Sequence, residues 1–265
     1  LKELRIGEKT AQLPIIQGGM GVGISRSSLA GAVAREGGVG VISTAQIGYD
    51  EEEFEQDQAK CNRIAIEKHV KKAKEIAGGR GLVAVNIMVA LKHYEEHVRE
   101  SVKAGADVII SGAGLPMDLP KLVSEESGTK IAPIVSSRRA ANLILKMWAH
   151  RYDRTADFIV IEGPKAGGHL GFHEEQLEAY GIDAGAEDYV KCRTSYEKEI
   201  IAIMQVIHTF SEKYGKKIPV AIGGGIHDSE SAARAFSLGA DAIQVATRFV
   251  TTEECDADIR YKEAY

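Results

Sequence analysis

Short apolar runs alternate with longer helical stretches along almost the whole chain, and this rhythm limits the available folds more than any other feature. Strand-like runs fall at Pro14–Gln17, Gly38–Ser43, Leu82–Met88, Asp107–Ser111, Lys130–Val135, Asp157–Ile161, Ile218–Ile222 and Ala242–Val245. The segments between them space their apolar residues three to four apart, as helices do. Strands that alternate with helices pair in parallel through helical crossovers. A doubly wound sheet would share that period. The count of eight favours an α/β fold of the closed kind, a (β/α)8 TIM barrel. At 265 residues the chain fits one such domain, residues 1–265, and no Pro-, Gly- or Ser-rich linker divides it.

Several boundaries are legible. Ser25–Gly38 (SRSSLAGAVAREGG) opens on serines, which cap helix N-termini, and closes on glycines. His93–Asp107 and Ser229–Asp241 both end in Gly-Ala-Asp before the next apolar run. The glycine suits the left-handed position that ends a helix, and the recurrence is a weak internal repeat. Glu51–Lys60 (EEEFEQDQAK) is expected to open a long charged helix toward Ala77 with a solvated face. Residues at about 172–196 are acidic, tyrosine-bearing and poorly periodic. They are expected to form an insertion after strand six, at the barrel rim where long loops serve as lids.

Composition removes several function classes. The 33 basic and 38 acidic residues give a formal net charge of -5, and no basic block appears. Nucleic acid is therefore an unexpected partner. No apolar run approaches the roughly 18–20 residues that span a bilayer, and LKELRIGEKT lacks the apolar core of a secretory signal. No membrane association and a cytoplasmic location are the expectations. Cys61, Cys192 and Cys255 are widely separated and odd in number, which fits neither a disulfide framework nor a zinc site. His69, His93, His97, His150 and His208 lie in charged helical segments and are expected to be packing or surface residues.

The ends of the apolar runs carry the chemistry. Gln17-Gly18-Gly19-Met20-Gly21, Ser111-Gly112-Ala113-Gly114, Ile161–Gly171 (IEGPKAGGHLG) and Gly223-Gly224-Gly225-Ile226 each follow a strand. Glycine lets backbone approach a ligand closely. Several such turns on one barrel face imply that something flat or phosphorylated lies against it. The loops after strands seven and eight of a barrel commonly hold a phosphate through backbone N–H groups. Here Gly224, Gly225, Ala246 and Thr247 are the expected donors. Within IEGPKAGGHLG, four glycines surround a single imidazole, that of His169. Its ordinary pKa near 6.5 lets it move a proton near neutral pH. His173, four residues on, would suit a metal only on a helix, and the glycines argue against one, so no metal is expected.

Taken together, Gly-Gly-Met near the start, Val85-Asn86-Ile87, Ala166-Gly167-Gly168-His169 with Gly171, the Gly-Gly-Gly-Ile turn and Gln244-Val245-Ala246-Thr247-Arg248-Phe249 resemble the nitronate monooxygenase (2-nitropropane dioxygenase) family. That family includes FMN-dependent enoyl-ACP reductase II enzymes. The resemblance runs from Leu13 to about Asp258. It implies a single barrel with a lid region, bound FMN and a small-molecule substrate. It further implies that Gly18, Gly19 and Met20 line the flavin ring, Gly19 and Met20 through backbone contacts. Asn86 would bond the ring or ribityl chain, and Ser136 and Glu162 would sit near the ring. Gly167 and Gly168 would let backbone pass close to it. Gly223, Gly224, Gly225, Ala246 and Thr247 would hold the phosphate, with Gln244 facing the ribityl–phosphate region. His169 would be the catalytic residue.

The same resemblance carries departures. The position of Lys165 is usually acidic, and a lysine there favours an anionic substrate or an anionic reduced cofactor. Ala246 replaces a common glycine. The stretch after Gly171 lacks the Thr- and Pro-containing run of enoyl reductases, and family members usually continue through further helices. Three functions are carried forward. The first is oxidation of alkyl nitronates with molecular oxygen. The second is reduction of enoyl thioesters with NAD(P)H as a transient electron donor, without a Rossmann module, since no Gly-x-Gly-x-x-Gly follows a strand. The third is a non-catalytic flavin-binding barrel. A homodimer is the expected assembly.

Overall fold

The computed structural model describes residues 2–180 and 186–265, with side chains described outside 186–195. The chain opens with an antiparallel hairpin of β1 (Leu4–Ile6) and β2 (Lys9–Ala11), in the register Leu4↔Ala11. The eight barrel strands follow: β3 (Ile15–Gln17), β4 (Val39–Ser43), β5 (Leu82–Met88), β6 (Val108–Gly112), β7 (Lys130–Val135), β8 (Ile159–Glu162), β9 (Val220–Gly223) and β10 (Ala242–Val245). They are parallel throughout, and β10 closes on β3 with Ile243 opposite Ile15. The fold is a (β/α)8 TIM barrel, and its strands fall within two residues of the expected runs.

Alternate residues on each strand serve two cores. Ile16, Val41, Ala84, Ile110, Ala132 and Val160 point into the barrel. Leu4, Ile6 and Ala11 of the hairpin belong to the same cluster and plug the strand-start end. Ile42, Val85, Ile109, Ile131, Ile161 and Ile222 face outward onto the helices, together with the fully buried Trp148. Both faces of each strand therefore lose water, which is why the strands read as near-continuous apolar runs.

The Gly-Ala-Asp repeat has a physical meaning. Asp107 N–H donates to the Val83 carbonyl at 2.8 Å while its carboxylate accepts from Val83 N–H at 2.9 Å. Asp241 does the same to Val220 at 2.8 and 3.0 Å. Asp157, which lacks the preceding glycine, repeats it on Ile131 at 3.0 Å in both bonds. Each aspartate pins the start of its strand to the previous one. The glycines ahead of Asp107 and Asp241 take the expected left-handed conformation, φ +86° and +100°.

The helices are α1 (Ser27–Arg35), α2 (Gln58–Ala77), α3 (Tyr94–Lys103), α4 (Leu119–Leu122), α5 (Arg138–Tyr152), α6 (Glu174–Ala179), α7 (Ala186–Tyr214), α8 (Ser229–Ser237), α9 (Thr247–Val250) and α10 (Ile259–Glu263). Two depart from expectation. No serine caps α1. Ser25 Oγ accepts from Met20 N–H instead, and Ser27 Oγ bonds His69 Nδ1. The cap comes from Asp256, 230 residues away, whose carboxylate accepts from Arg26, Ser28 and Leu29 N–H at 2.8, 3.1 and 3.1 Å. The charged helix does not open at Glu51. It starts at Gln58, because the Asp57 side chain accepts from Lys60 N–H and caps it there. Its face is not simply solvated: Cys61, Ala65, Ile66, Val70 and Ala73 are buried. Of the segment read as an insertion, residues 174–179 form α6 and residues 186–196 form the first turns of α7, while 181–185 lie outside the described residues. Cys61 and Cys255 are buried free thiols; the Cys192 side chain lies outside the described residues. No helix is long and apolar enough to cross a membrane among the described residues.

Candidate functional site

The barrel's strand-end face gathers three of the four glycine turns into contiguous groups, the Ser111–Gly114 turn packing instead on Val89 and Ile134. In the first, a Cβ on Gly19 would lie 2.6 Å from Asn86 Cβ, and one on Gly18 would lie 3.4 Å from the Gln244 side chain and 3.5 Å from Ala246 Cβ. Gln244 also reaches Gly223, 3.1 Å from the Cβ position there. Gly18, Gly19, Asn86, Gly223, Gln244 and Ala246 are thus neighbours across the closing seam of β9, β10 and β3. Met20 has both backbone polar groups engaged by Ser25, its N–H by Oγ at 2.8 Å and its carbonyl by Ser25 N–H at 2.9 Å. Gly18 N–H is likewise spent on the Val245 carbonyl at 2.9 Å. The Met20 side chain is half-buried beside them.

The second group holds the histidine segment. Gly163 N–H donates to the Gly223 carbonyl at 2.8 Å, tying the segment's start to β9. Its far end returns at Gly171, whose carbonyl accepts from Ser136 Oγ at 2.8 Å and whose N–H donates to Glu162 Oε2 at 3.0 Å. Between these anchors Gly167 and Gly168 have nothing within 4 Å of their Cβ positions, and His169 is exposed. Its imidazole makes no hydrogen bond among the described residues. The segment is an arched arm, fixed at both feet and open along its span. Ser136 and Glu162, expected beside a ligand ring, are the arm's anchors in this structure.

Burial raises the Glu162 carboxyl above the usual carboxylate range, and the Gly171 N–H partly opposes that shift. Tyr196 completes the anchor. It is buried about three turns into α7, and its hydroxyl donates to the Glu162 and Ser136 carbonyls. Burial, with Glu162 beside it, pushes that phenol well above its ordinary value. Phe172, Tyr180 and Tyr196 form a mutual edge-to-face trio with centroids 5.2–6.0 Å apart, an arrangement worth about 0.5–1.5 kcal/mol per pair beyond area burial. Sequence reading missed Tyr196 because its neighbours show no clean helical period.

The third group is the Gly-Gly-Gly turn. Gly224 and Gly225 have φ of +100° and +74° in succession, a conformation that side-chain-bearing residues rarely adopt. Neither N–H finds an acceptor among the described residues. His227, also missed, steadies the turn: its Nδ1 lies 3.0 Å from the Gly225 carbonyl. Thr247, the first residue of α9, is exposed across the β9–β10 seam. A concave row of unpaired N–H groups is an anion site. Together with the open glycine span beside it, the face fits a ligand with a phosphate at one end and a flat body at the other, as FMN has.

A cleft of about 430 Å³ lined by Ile207, Lys216, Lys217 and Asp241 lies on the outer wall at the strand-start end, away from these groups. Among the described residues no three His, Cys, Asp or Glu side chains converge as metal ligands.

Comparison with known proteins places this arrangement. The nitronate monooxygenase family model matches residues 2–265. A probable nitronate monooxygenase of Staphylococcus aureus (strain Newman) is 26% identical over 277 residues, spanning 96% of this chain and 69% of the relative. Among solved structures, the M276A mutant of FabK from Thermotoga maritima superposes with a TM-score of 0.67 at 25% identity, covering 96% of this chain and 67% of that one. A nitroalkane oxidase from Streptomyces ansochromogenes, 19% identical, shares the fold with a TM-score of 0.68, over 95% of this chain and 70% of its own. The chain thus spans about two thirds of the length of these relatives. A family match over nearly every residue, on a barrel whose glycine turns and histidine arm share one face, makes this chain an oxidoreductase that belongs to the nitronate monooxygenase family.

Proposed function

We propose that the protein is an FMN-dependent oxidoreductase that oxidises alkyl nitronates with molecular oxygen. The observation that carries this reading is the pair of N–H groups at Gly224 and Gly225, without an acceptor among the described residues, set beside the open arm that bears His169. When bound, FMN would supply the redox chemistry that carries electrons from the substrate to oxygen. This chain's residues do the rest. Gly224, Gly225 and Thr247 hold the phosphate through backbone N–H groups. Gly167 and Gly168 leave the ring's space clear of side chains. Asn86, whose Nδ2 donates to the Ile110 carbonyl at 3.4 Å, would offer its amide oxygen to the ring or ribityl chain as an acceptor.

His169 acts on the substrate. In the cationic form it holds the nitronate oxygens by a charge-assisted hydrogen bond; in the neutral form it takes the α-proton of a nitroalkane at a ring nitrogen. Its arm is pre-set by the Ser136, Glu162 and Tyr196 anchors, which limits the reorganisation needed for the imidazole to meet the substrate. The FabK likeness supports a second reading, reduction of an enoyl thioester with electrons from NAD(P)H.

Anaerobic stopped-flow mixing of the FMN-loaded protein with a nitronate, NADH and NADPH separates the two. The first reading expects the nitronate to bleach the flavin fastest, and His169→Ala to slow that step by about 10²–10⁴-fold, the usual worth of a positioned acid–base group. Bleaching by NAD(P)H alone, with reoxidation by a crotonyl thioester, would establish the second reading in its place.

A further inference from the structure

Lys165 lies in a segment that is unusually well fixed for an exposed lysine. Gly163-Pro164-Lys165-Ala166 is a β-turn closed by the Ala166 N–H on the Gly163 carbonyl at 3.0 Å. Proline occupies the second position, where its locked φ suits the turn. The turn is stacked on the Gly-Gly-Gly turn. A Cβ on Gly224 would fall 2.9 Å from the Gly163 carbonyl oxygen and 3.0 Å from the Ala166 nitrogen. One on Gly225 would fall 3.0 and 3.1 Å from Cβ and Cδ of Lys165. The aliphatic stem of Lys165 therefore runs across Gly225, and the ammonium, two bonds beyond Cδ, lies within reach of the same turn.

Resting on the FMN reading, we propose that Lys165 is a binding residue for the cofactor's phosphate, an ionic clamp that closes over the anion from the side opposite the Gly224 and Gly225 N–H groups. Two independent features of the chain meet there. The positive-φ glycines provide short neutral donors. The proline-braced turn provides a full positive charge with three further donors. Gly225 is required twice: for its left-handed backbone, and because a side chain there would displace the lysine stem. A phosphate held by both would bind more tightly than one held by backbone alone, since hydrogen bonds to an ionised donor are about twice as strong as neutral ones. The effect would also weaken with salt, because the ammonium is close to solvent.

The test compares FMN with riboflavin, which has the same ring system and no phosphate. Flavin-free protein is titrated with each by fluorescence quenching, at low and high salt, in wild type, Lys165→Gln, Lys165→Glu and Lys165→Arg. The expected result is an FMN affinity about fivefold weaker in Lys165→Gln and at least tenfold weaker in Lys165→Glu. Riboflavin affinity should be unchanged, the salt dependence of FMN binding should be blunted in Lys165→Gln, and Lys165→Arg should stay near wild type. Inorganic phosphate should compete with FMN more weakly in the Gln variant than in wild type. An FMN-to-riboflavin preference within twofold of wild type in both Gln and Glu variants overturns the Lys165 assignment and leaves the FMN reading intact. A wild-type protein that binds neither flavin overturns the FMN reading and this one with it.

Discussion

Replacing Asp256 with alanine removes a long-range contact that stands behind the candidate site. The carboxylate accepts three backbone N–H groups at the start of α1, those of Arg26, Ser28 and Leu29. Asp256 N–H and Cys255 Sγ both reach the Ile24 carbonyl, at 3.2 and 3.3 Å. Losing an N-cap side chain costs about 0.5–2 kcal/mol, and losing a negative charge beside a helix N-terminus about another 0.3–1 kcal/mol. Because Arg26 and Leu29 are buried, their N–H groups are poorly served by water once the carboxylate is gone, which places the total near the top of that range, at about 2–3 kcal/mol. In a chain of this size about 1 kcal/mol moves Tm by roughly 2–4 °C, so Asp256→Ala should melt about 5–10 °C below wild type. Asp256→Asn keeps an acceptor oxygen without the charge and should fall between the two. Urea unfolding and calorimetry of all three proteins measure this directly. The same variants should release flavin faster, because the segment from Gly18 to Ser25 is held through Ile24. An Asp256→Ala protein within about 1 kcal/mol of wild type would refute the reasoning that the tail, rather than the local serines, caps this helix.

Three further outcomes follow from single sites. A Cβ on Gly40 would lie 2.5–2.6 Å from the carbonyl carbon and Cα of Ala30 and closer still to its oxygen; Gly40→Ala must part α1 from the barrel, costing about 3 kcal/mol or more, and an unchanged Tm would contradict this. Burial lowers His97 to about 4 from its ordinary 6.5, and Nδ1 has no partner among the described residues. The unfolded chain then takes up a proton that the fold resists, so stability is complete above pH 6.5 and about 3 kcal/mol is lost as pH falls toward 4. His97→Gln should flatten that acid limb in urea titrations, His69 retaining its own smaller share; an unaltered limb would contradict it. Glu162 runs the other way: burial raises its carboxyl, so the folded state binds the proton better and stability is lost as pH rises from 4.5 through the raised value. Glu162→Gln, which keeps an acceptor for Gly171, should gain on wild type at pH 7 and not at pH 4, and a pH-independent difference would count against the assignment.

What the sequence disclosed depended on whether the cause was local. The barrel strands could be read because each is buried on both faces, and that burial leaves runs such as Leu82–Met88 almost wholly apolar. The Gly-Gly-Gly turn could be read because two successive positive φ angles favour glycine at 224 and 225. The hairpin of Leu4–Ile6 and Lys9–Ala11 escaped notice because three-residue strands carry no period. The cap on α1 escaped because its acceptor lies 230 residues away, while the nearby Ser25 is drawn into the Met20 turn. The start of α2 was misplaced because Glu51–Gln56 has helix-forming composition, and a single Asp57 cap decides the boundary. That Ser136 and Glu162 both hold Gly171 was not legible, because which of several neighbours they bond is a matter of tertiary geometry. Tyr196 became visible only when Phe172, Tyr180 and the Ser136 and Glu162 carbonyls came together around it.

A crystal structure of the protein grown with saturating FMN tests the central claim most directly. The account predicts phosphate oxygens within hydrogen-bond distance of the Gly224 and Gly225 N–H groups and the ring system along Gly167–Gly168 within reach of His169. Density for FMN elsewhere on the molecule, or a ring lying beyond the imidazole's reach, would contradict it.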